Sequence, residues 1–177
     1  LGAIELGLII DINTAGRTEI DGQADLDLNV AAQQKLVAGK APGVVAMVTP
    51  SLTFFGAFLN YGDGPLKDVR VRQAMNYAID RDVINTVIMH GLGETTSTIL
   101  SREFWACDPK TAGYYTHDPE RAKKLLADAG HAGGISIPAW GWPDQSAMQR
   151  QELIISQLAQ VGMRVQMVPA APAQAME

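Results

Sequence analysis

The sequence predicts an α/β fold, a mixed sheet flanked by helices. Short apolar, β-rich runs alternate with segments of helical period, an order that places helices over the faces of a sheet. Residues 118–130, DPERAKKLLADAG, carry complete helix punctuation. Asp118 stands as N-cap and Pro119 at the first helical position, Ala122, Leu125, Leu126 and Ala129 share one face, and Gly130 follows the end. Residues 68–93 read as two consecutive helices, the longest stretch in which all local signals agree.

Taken in order, residues 4–10, IELGLII, form a short apolar run whose length favours a buried strand. Residues 14–21 suit a short helix capped by Asn13 and stopped by Gly22, with Gly16 working against it. Residues 24–30, ADLDLNV, alternate strictly and predict a half-buried strand with its aspartates on the open face. A helix over 31–38 stops at Gly39. Residues 44–48 and 53–59 are β-rich and predict two strands around a Thr-Pro-Ser corner, and residues 60–65, NYGDGP, form the loop that follows.

In the paired helices, Val71, Ala74, Met75, Ala78 and Ile79 make one apolar stripe. Asp80 interrupts as a new N-cap, and Val83, Ile84, Val87 and Ile88 begin a second stripe that ends at Gly91, with His90 where a helix C-terminus favours positive charge. Residues 94–116 have no sustained period and predict an extended surface excursion anchored by Trp105. A strand over 135–139, a loop over 140–144, a helix over 147–161 stopped by Gly162, and a final strand over 163–167 complete the expected fold. Residues 1–168 are expected to form one α/β unit, and residues 169–177 a disordered tail.

With 47% hydrophobic and 19% charged residues, the 177-residue chain has the composition of a globular domain able to bury a core. It contains no apolar run of membrane-spanning length. A net charge of −5 supplies no basic footprint, so nucleic acid is not an expected partner. Cys107 is the single cysteine, which excludes an intrachain disulfide and a multi-cysteine metal site. Asp21, Asp25 and Asp27 lack the spacing of an EF-hand calcium loop, so no metal ligands are assigned, and no cofactor is implied. The chain opens at Leu1 without a start methionine or a signal-like leader, and sequence upstream of it is expected.

Several segments together resemble the family 5 extracellular solute-binding proteins of ABC transporters, whose members include dipeptide, oligopeptide and nickel binders. The carrying residues are Asn60, PLKDVRVRQAMNYAID over 65–80, Gly91 and Gly93, the helix of 118–130, and SQLAQVGMRVQM over 156–167. IDGQADLDLN over 20–29 resembles the family's short helix, glycine and acidic strand. The resemblance implies one lobe of a two-lobed periplasmic or extracellular protein that encloses a peptide or another small solute and delivers it to a membrane permease. Family members are longer than this chain, so the first lobe is missing from it and the cleft is incomplete.

The resemblance places the loop of 140–144 at the inter-lobe cleft, and its chemistry suits that position. Trp140 and Trp142 offer broad apolar faces with N–H donors, Gly141 permits close approach, and Asp144 ends the loop. The alternative is that one tryptophan covers the core and the other rests on the surface. Asn60 and Tyr61 divide similarly: Asn60 either caps its own loop or, with Tyr61, lines the cleft. No catalytic residues are assigned. A small α/β enzyme would have to use Cys107 and His117 with Asp118, yet Asp118 is already an N-cap. A protein-interaction fragment that dimerises through an exposed lobe surface is the remaining alternative.

Overall fold

The computed structural model describes residues 12–27, 32–49 and 51–168. The chain divides into two compact units between Ser51 and Leu52. The expected strand over 4–10, the last three residues of the one over 24–30, and the tail lie outside the described residues.

The first unit contains helices α1 (Ile12–Ile20) and α2 (Ala32–Ala38), which pack on one another. Helix α1 begins at Ile12, so Asn13 lies inside it and is not its cap. Gly16, a weak helix former, is buried where a Cβ would come within 2.7 Å of the Gln34 side chain, so its cost in propensity is offset by close helix approach. Residues 24–27 and 44–48 are not strands. Alternation and β-branching describe a surface suited to a sheet, but a strand also requires a ladder, and among the described residues neither segment has one.

The same correction applies to residues 53–59 at the start of the second unit, where Phe55 and Phe58 stand 63% and 92% exposed. A 3-10 turn (Pro65–Lys67) follows, then α3 (Val69–Ala78), α4 (Arg81–Ile88), α5 (Pro109–Ala112), α6 (Pro119–Asp128), β1 (Ile135–Ala139), α7 (Gln145–Gln160) and β2 (Met163–Met167). β1 and β2 pair in parallel from Ile135↔Met163 to Ala139↔Met167, with α7 as the crossover that parallel strands require. Gly134 allows the strands to begin so close together: it has φ +94, and a Cβ there would lie 2.8 Å from the Gly162 carbonyl oxygen, which accepts the Ile135 N–H.

The core of this unit lies between α3, α6, α7 and the strand pair. Val71, Ala74, Ala78, Ala122, Leu126, Leu158 and Met163 are essentially inaccessible to solvent. The expected stripe of α3 is buried together with Tyr77, whereas Ile79 is the C-cap of that helix and only partly buried. Asp80 caps α4, accepting the N–H groups of Asp82 and Val83. That helix ends at Ile88, earlier than its apolar pattern predicts. His90, exposed and left-handed at φ 50, then turns the chain, because the Gly91 N–H bonds back to the Asn85 carbonyl.

The excursion is anchored differently from expectation. Trp105 is 89% exposed and touches Phe104 at 5.7 Å between ring centroids. Tyr115 is the anchor: its ring meets Tyr77 of α3 edge to face at 5.1 Å, and its N–H donates to Ser97 Oγ at 2.9 Å. The excursion also contains α5, announced by Asp108 and Pro109 in the same N-cap and first-turn pattern as Asp118 and Pro119.

At the start of α3, Asp68 accepts the backbone N–H of Arg70 at 2.8 Å and two bonds from its Nε. The Arg70 guanidinium, followed by that backbone bond, holds the Asp68 carboxyl at about 2, below its ordinary 3.8. Because the folded value is the lower one, the stability this group contributes is present above the unfolded value and is lost as pH falls from 3.8 toward 2. Carboxyl NMR titration should place Asp68 near 2, and Arg70→Gln should return it toward 3.8.

Candidate functional site

The loop of 140–144 leaves β1 and enters α7, so a strand end and a helix start fix its two ends. Trp140 and Trp142 are 55% and 60% exposed. Neither is buried in the core of this unit. An indole left in water by a loop that buries so little of it is available to a ligand or to another surface.

The loop is held by α7. Asp144 is the N-cap of that helix, its Oδ1 accepting the Ala147 N–H at 2.9 Å and the Ser146 hydroxyl at 2.9 Å. The Ala147 bond, the Ser146 bond and the nearby Arg150 charge together hold its carboxyl below the ordinary value. Gln151, two turns further on, donates from Nε2 to the Trp142 carbonyl at 3.0 Å. Its side chain fills the space beside Gly141, where a Cβ would lie 2.0 Å from Oε1. Close approach at Gly141 is therefore made by the protein itself. Gly141→Ala should expel Gln151, break its bond to the loop and cost about 1 kcal/mol by urea denaturation. A Gln151→Ala, Gly141→Ala double variant should lose little more than either alone.

Asn60 and Tyr61 make no hydrogen bond or ring contact to this loop among the described residues. Asn60 Oδ1 accepts the Gly62 N–H at 3.0 Å, which is the loop-capping role. Tyr61 is 69% exposed, with the Arg72 guanidinium 5.6 Å from its ring centroid. Arg72 donates to the carbonyls of Leu66 and Lys67, so it fastens the 3-10 turn that follows the 60–65 loop to α3.

A polar cleft of about 190 Å³ opens at the α3–α4 junction, lined by Asp80, Arg81, Asp82, Thr95, Ser97 and His117 among others. None of the six residues expected to bind ligand lines it. Its carboxylates are engaged: Asp80 Oδ2 faces His117 Nδ1 at 3.3 Å, and Asp82 Oδ1 accepts the Thr95 hydroxyl at 2.9 Å. His117 is thus turned to Asp80, while Cys107 Sγ has the Leu100 carbonyl as its partner at 3.8 Å and Asp118 caps α6. The nucleophile and base that an enzyme would need are not assembled. Among the described residues no three His, Cys, Asp or Glu side chains cluster as metal ligands.

The sequence pattern also left three contributors to the loop unmarked. Arg150 and Gln151 fall in the gap between Ala147 and Ile154 along the buried line of α7, and a polar residue in an apolar line is the signal that marks them. Phe55, whose ring lies 4.1 Å from the Arg150 guanidinium carbon, came from a segment read as strand.

Comparison with known proteins places these features in a family. The bacterial extracellular solute-binding proteins, family 5 Middle, match residues 3–176. The chain is 34% identical over 127 residues to the dipeptide-binding protein of Escherichia coli (strain K12), covering 69% of this chain and 24% of that protein. It is 29% identical over 171 residues to heme-binding protein A of Haemophilus influenzae, covering 93% and 31% respectively. In fold it is similar to the ABC transporter-associated periplasmic binding protein DppA of Helicobacter pylori, solved with a peptide, with a TM-score of 0.80 at 21% identity over 95% of this chain and 32% of that one. The chain thus spans only about a quarter to a third of the length of these relatives.

Proposed function

The chain belongs to the bacterial extracellular solute-binding proteins of family 5, and from that premise we propose that it forms one wall of a cleft that captures a peptide or related small solute for an ABC importer. The observation that carries this reading is the pair of exposed tryptophans on a loop pinned by Asp144 and Gln151. A rigid loop holds its aromatic faces in place before ligand arrives, so little ordering entropy is lost on binding. Relatives named as dipeptide-binding and heme-binding proteins support a binder, not an enzyme.

In this reading residues 1–168 form part of one lobe, and a second lobe from the remainder of the polypeptide closes on the solute from the other side. Asn60 and Tyr61 are then the second contribution of this wall, and the exposed rings of Phe55 and Phe58 are covered by the rest of the protein. The protein works in the periplasm or at the outer face of the cell and meets the membrane through a permease. No helix among the described residues is long and apolar enough to cross a membrane.

Calorimetric titration with a panel of short peptides tests this directly. The full-length protein should bind a member of the panel, whereas the 177-residue chain alone should bind none more tightly than about 1 μM, because one wall does not exclude water from a ligand. Submicromolar binding by the isolated chain would contradict the two-wall reading.

A further inference from the structure

We propose that Asp63 is a site of isoaspartate formation, a self-modification of the 60–65 loop whose product is the substrate class of an isoaspartyl-directed methyltransferase. The reaction requires an aspartate carboxyl free to turn onto its own main chain and a following amide nitrogen that nothing holds. The sequence has two Asp-Gly steps, Asp21–Gly22 and Asp63–Gly64. Glycine follows the aspartate in both, so no Cβ stands against the ring that must close.

The structure separates the two steps. Asp21 and Gly22 belong to the turn at the end of α1, where the Asp21 N–H donates to the Arg17 carbonyl at 2.9 Å. The N–H groups of Gln23 and Ala24 both donate to the Thr18 carbonyl, at 2.7 and 3.1 Å. Three hydrogen bonds thus hold the backbone on either side of that step, and ring closure has to wait for the turn to open. Asp63 instead lies between Gly62 and Gly64 in an exposed loop. Among the described residues its carboxylate makes no hydrogen bond or ion pair, and neither its own N–H nor that of Gly64 has a hydrogen-bond partner. The nearest ties are the Gly62 N–H to Asn60 Oδ1 at 3.0 Å and the Lys67 N–H to the Gly64 carbonyl at 3.2 Å, and neither uses an atom of the ring. The space beside Gly64 is open: a Cβ there would meet nothing within 4 Å.

In the reaction the Gly64 nitrogen attacks Asp63 Cγ. A C–N bond forms, and the carboxyl OH leaves as water with the amide proton. Water then opens the succinimide. Cleavage between the nitrogen and Cγ restores aspartate, whereas cleavage at the former peptide carbonyl leaves the chain running through Cγ, with an extra methylene in the backbone and the carboxylate on Cα. The loop that carries Asn60 and Tyr61 is lengthened by that methylene before it enters the 3-10 turn.

The test ages the full-length protein at neutral pH, folded and in urea, and follows isoaspartate in the peptides containing Asp21 and Asp63 by enzymatic methylation and isomer-resolving fragmentation. Comparison with urea removes the effect of neighbouring sequence at each step. Folding should slow conversion at Asp21 several-fold and leave conversion at Asp63 close to its rate in urea. Asp63→Glu, whose carboxyl would have to close a larger ring, should lose the signal from this loop. Equal slowing of both steps by folding, or greater slowing at Asp63 than at Asp21, overturns the assignment, as does a loop signal that persists in Asp63→Glu.

Discussion

Replacing Trp140 and Trp142 together by alanine should weaken solute binding by the full-length protein by about 30-fold or more and leave its melting temperature nearly unchanged. The two indoles are 55% and 60% exposed, so truncation removes little that the folded chain buries for itself. Surface substitutions of this kind change stability by about 0.5 kcal/mol, whereas loss of an aromatic anchor at a binding surface costs about 2 kcal/mol or more. The loop would keep its course, because Asp144 and Gln151 hold it through Ala147 N–H and the Trp142 carbonyl and through neither indole. Calorimetry and a thermal melt on the same sample separate the two effects. A variant that binds normally would show that the tryptophans serve some other surface.

Ala74→Asp should prevent the second unit from folding. Ala74 is fully buried on α3, which packs more extensively against α6 than against any other element, and Ala122 of α6 is fully buried too. Small residues on both helices fit close approach, and a carboxylate there would have neither room nor a hydrogen-bond partner. Burial of an unpaired charge costs several kcal/mol against a domain stability of about 5–15 kcal/mol, and the extra volume adds to it. Loss of helical circular dichroism and of the cooperative urea transition would be the result. Ile79→Asp, one residue beyond the helix, should be milder, because Ile79 is only partly buried and lines the polar cleft. A cooperative parent-like melt for Ala74→Asp would show that the α3–α6 interface is misplaced.

The helices were legible in the sequence where local chemistry determines them. Asp118 with Pro119, Asp80 before Arg81 and the stripe of Val71, Ala74, Met75 and Ala78 announce their elements from neighbouring residues alone, and the structure has them all. The segments 44–48 and 53–59 were misread because a strand depends on a partner that local pattern does not supply. Trp105 was misread for a related reason: residue type says that an indole is usually buried, but not whether the chain around it folds back over it.

The candidate site divides along the same line. The loop of 140–144 was legible from its two tryptophans around a glycine and its position after a strand. The resident of the space at Gly141 is Gln151 from α7, a contact between a loop and the second turn of the next helix that spacing alone does not reveal. Arg150 and Phe55 are nearly a hundred residues apart in sequence and meet only in the fold. Of the six expected residues, Asn60 caps its own loop, Tyr61 lies beside Arg72, and the tryptophan loop is held by α7.

Amide hydrogen exchange on the full-length protein, with and without a saturating peptide, tests the central claim most directly. The account predicts slowed exchange at Trp140, Gly141, Trp142 and Asp144, with little change at Thr95, Ser97 and His117 in the polar cleft. Protection confined to that cleft, with the tryptophan loop unaffected, would contradict it.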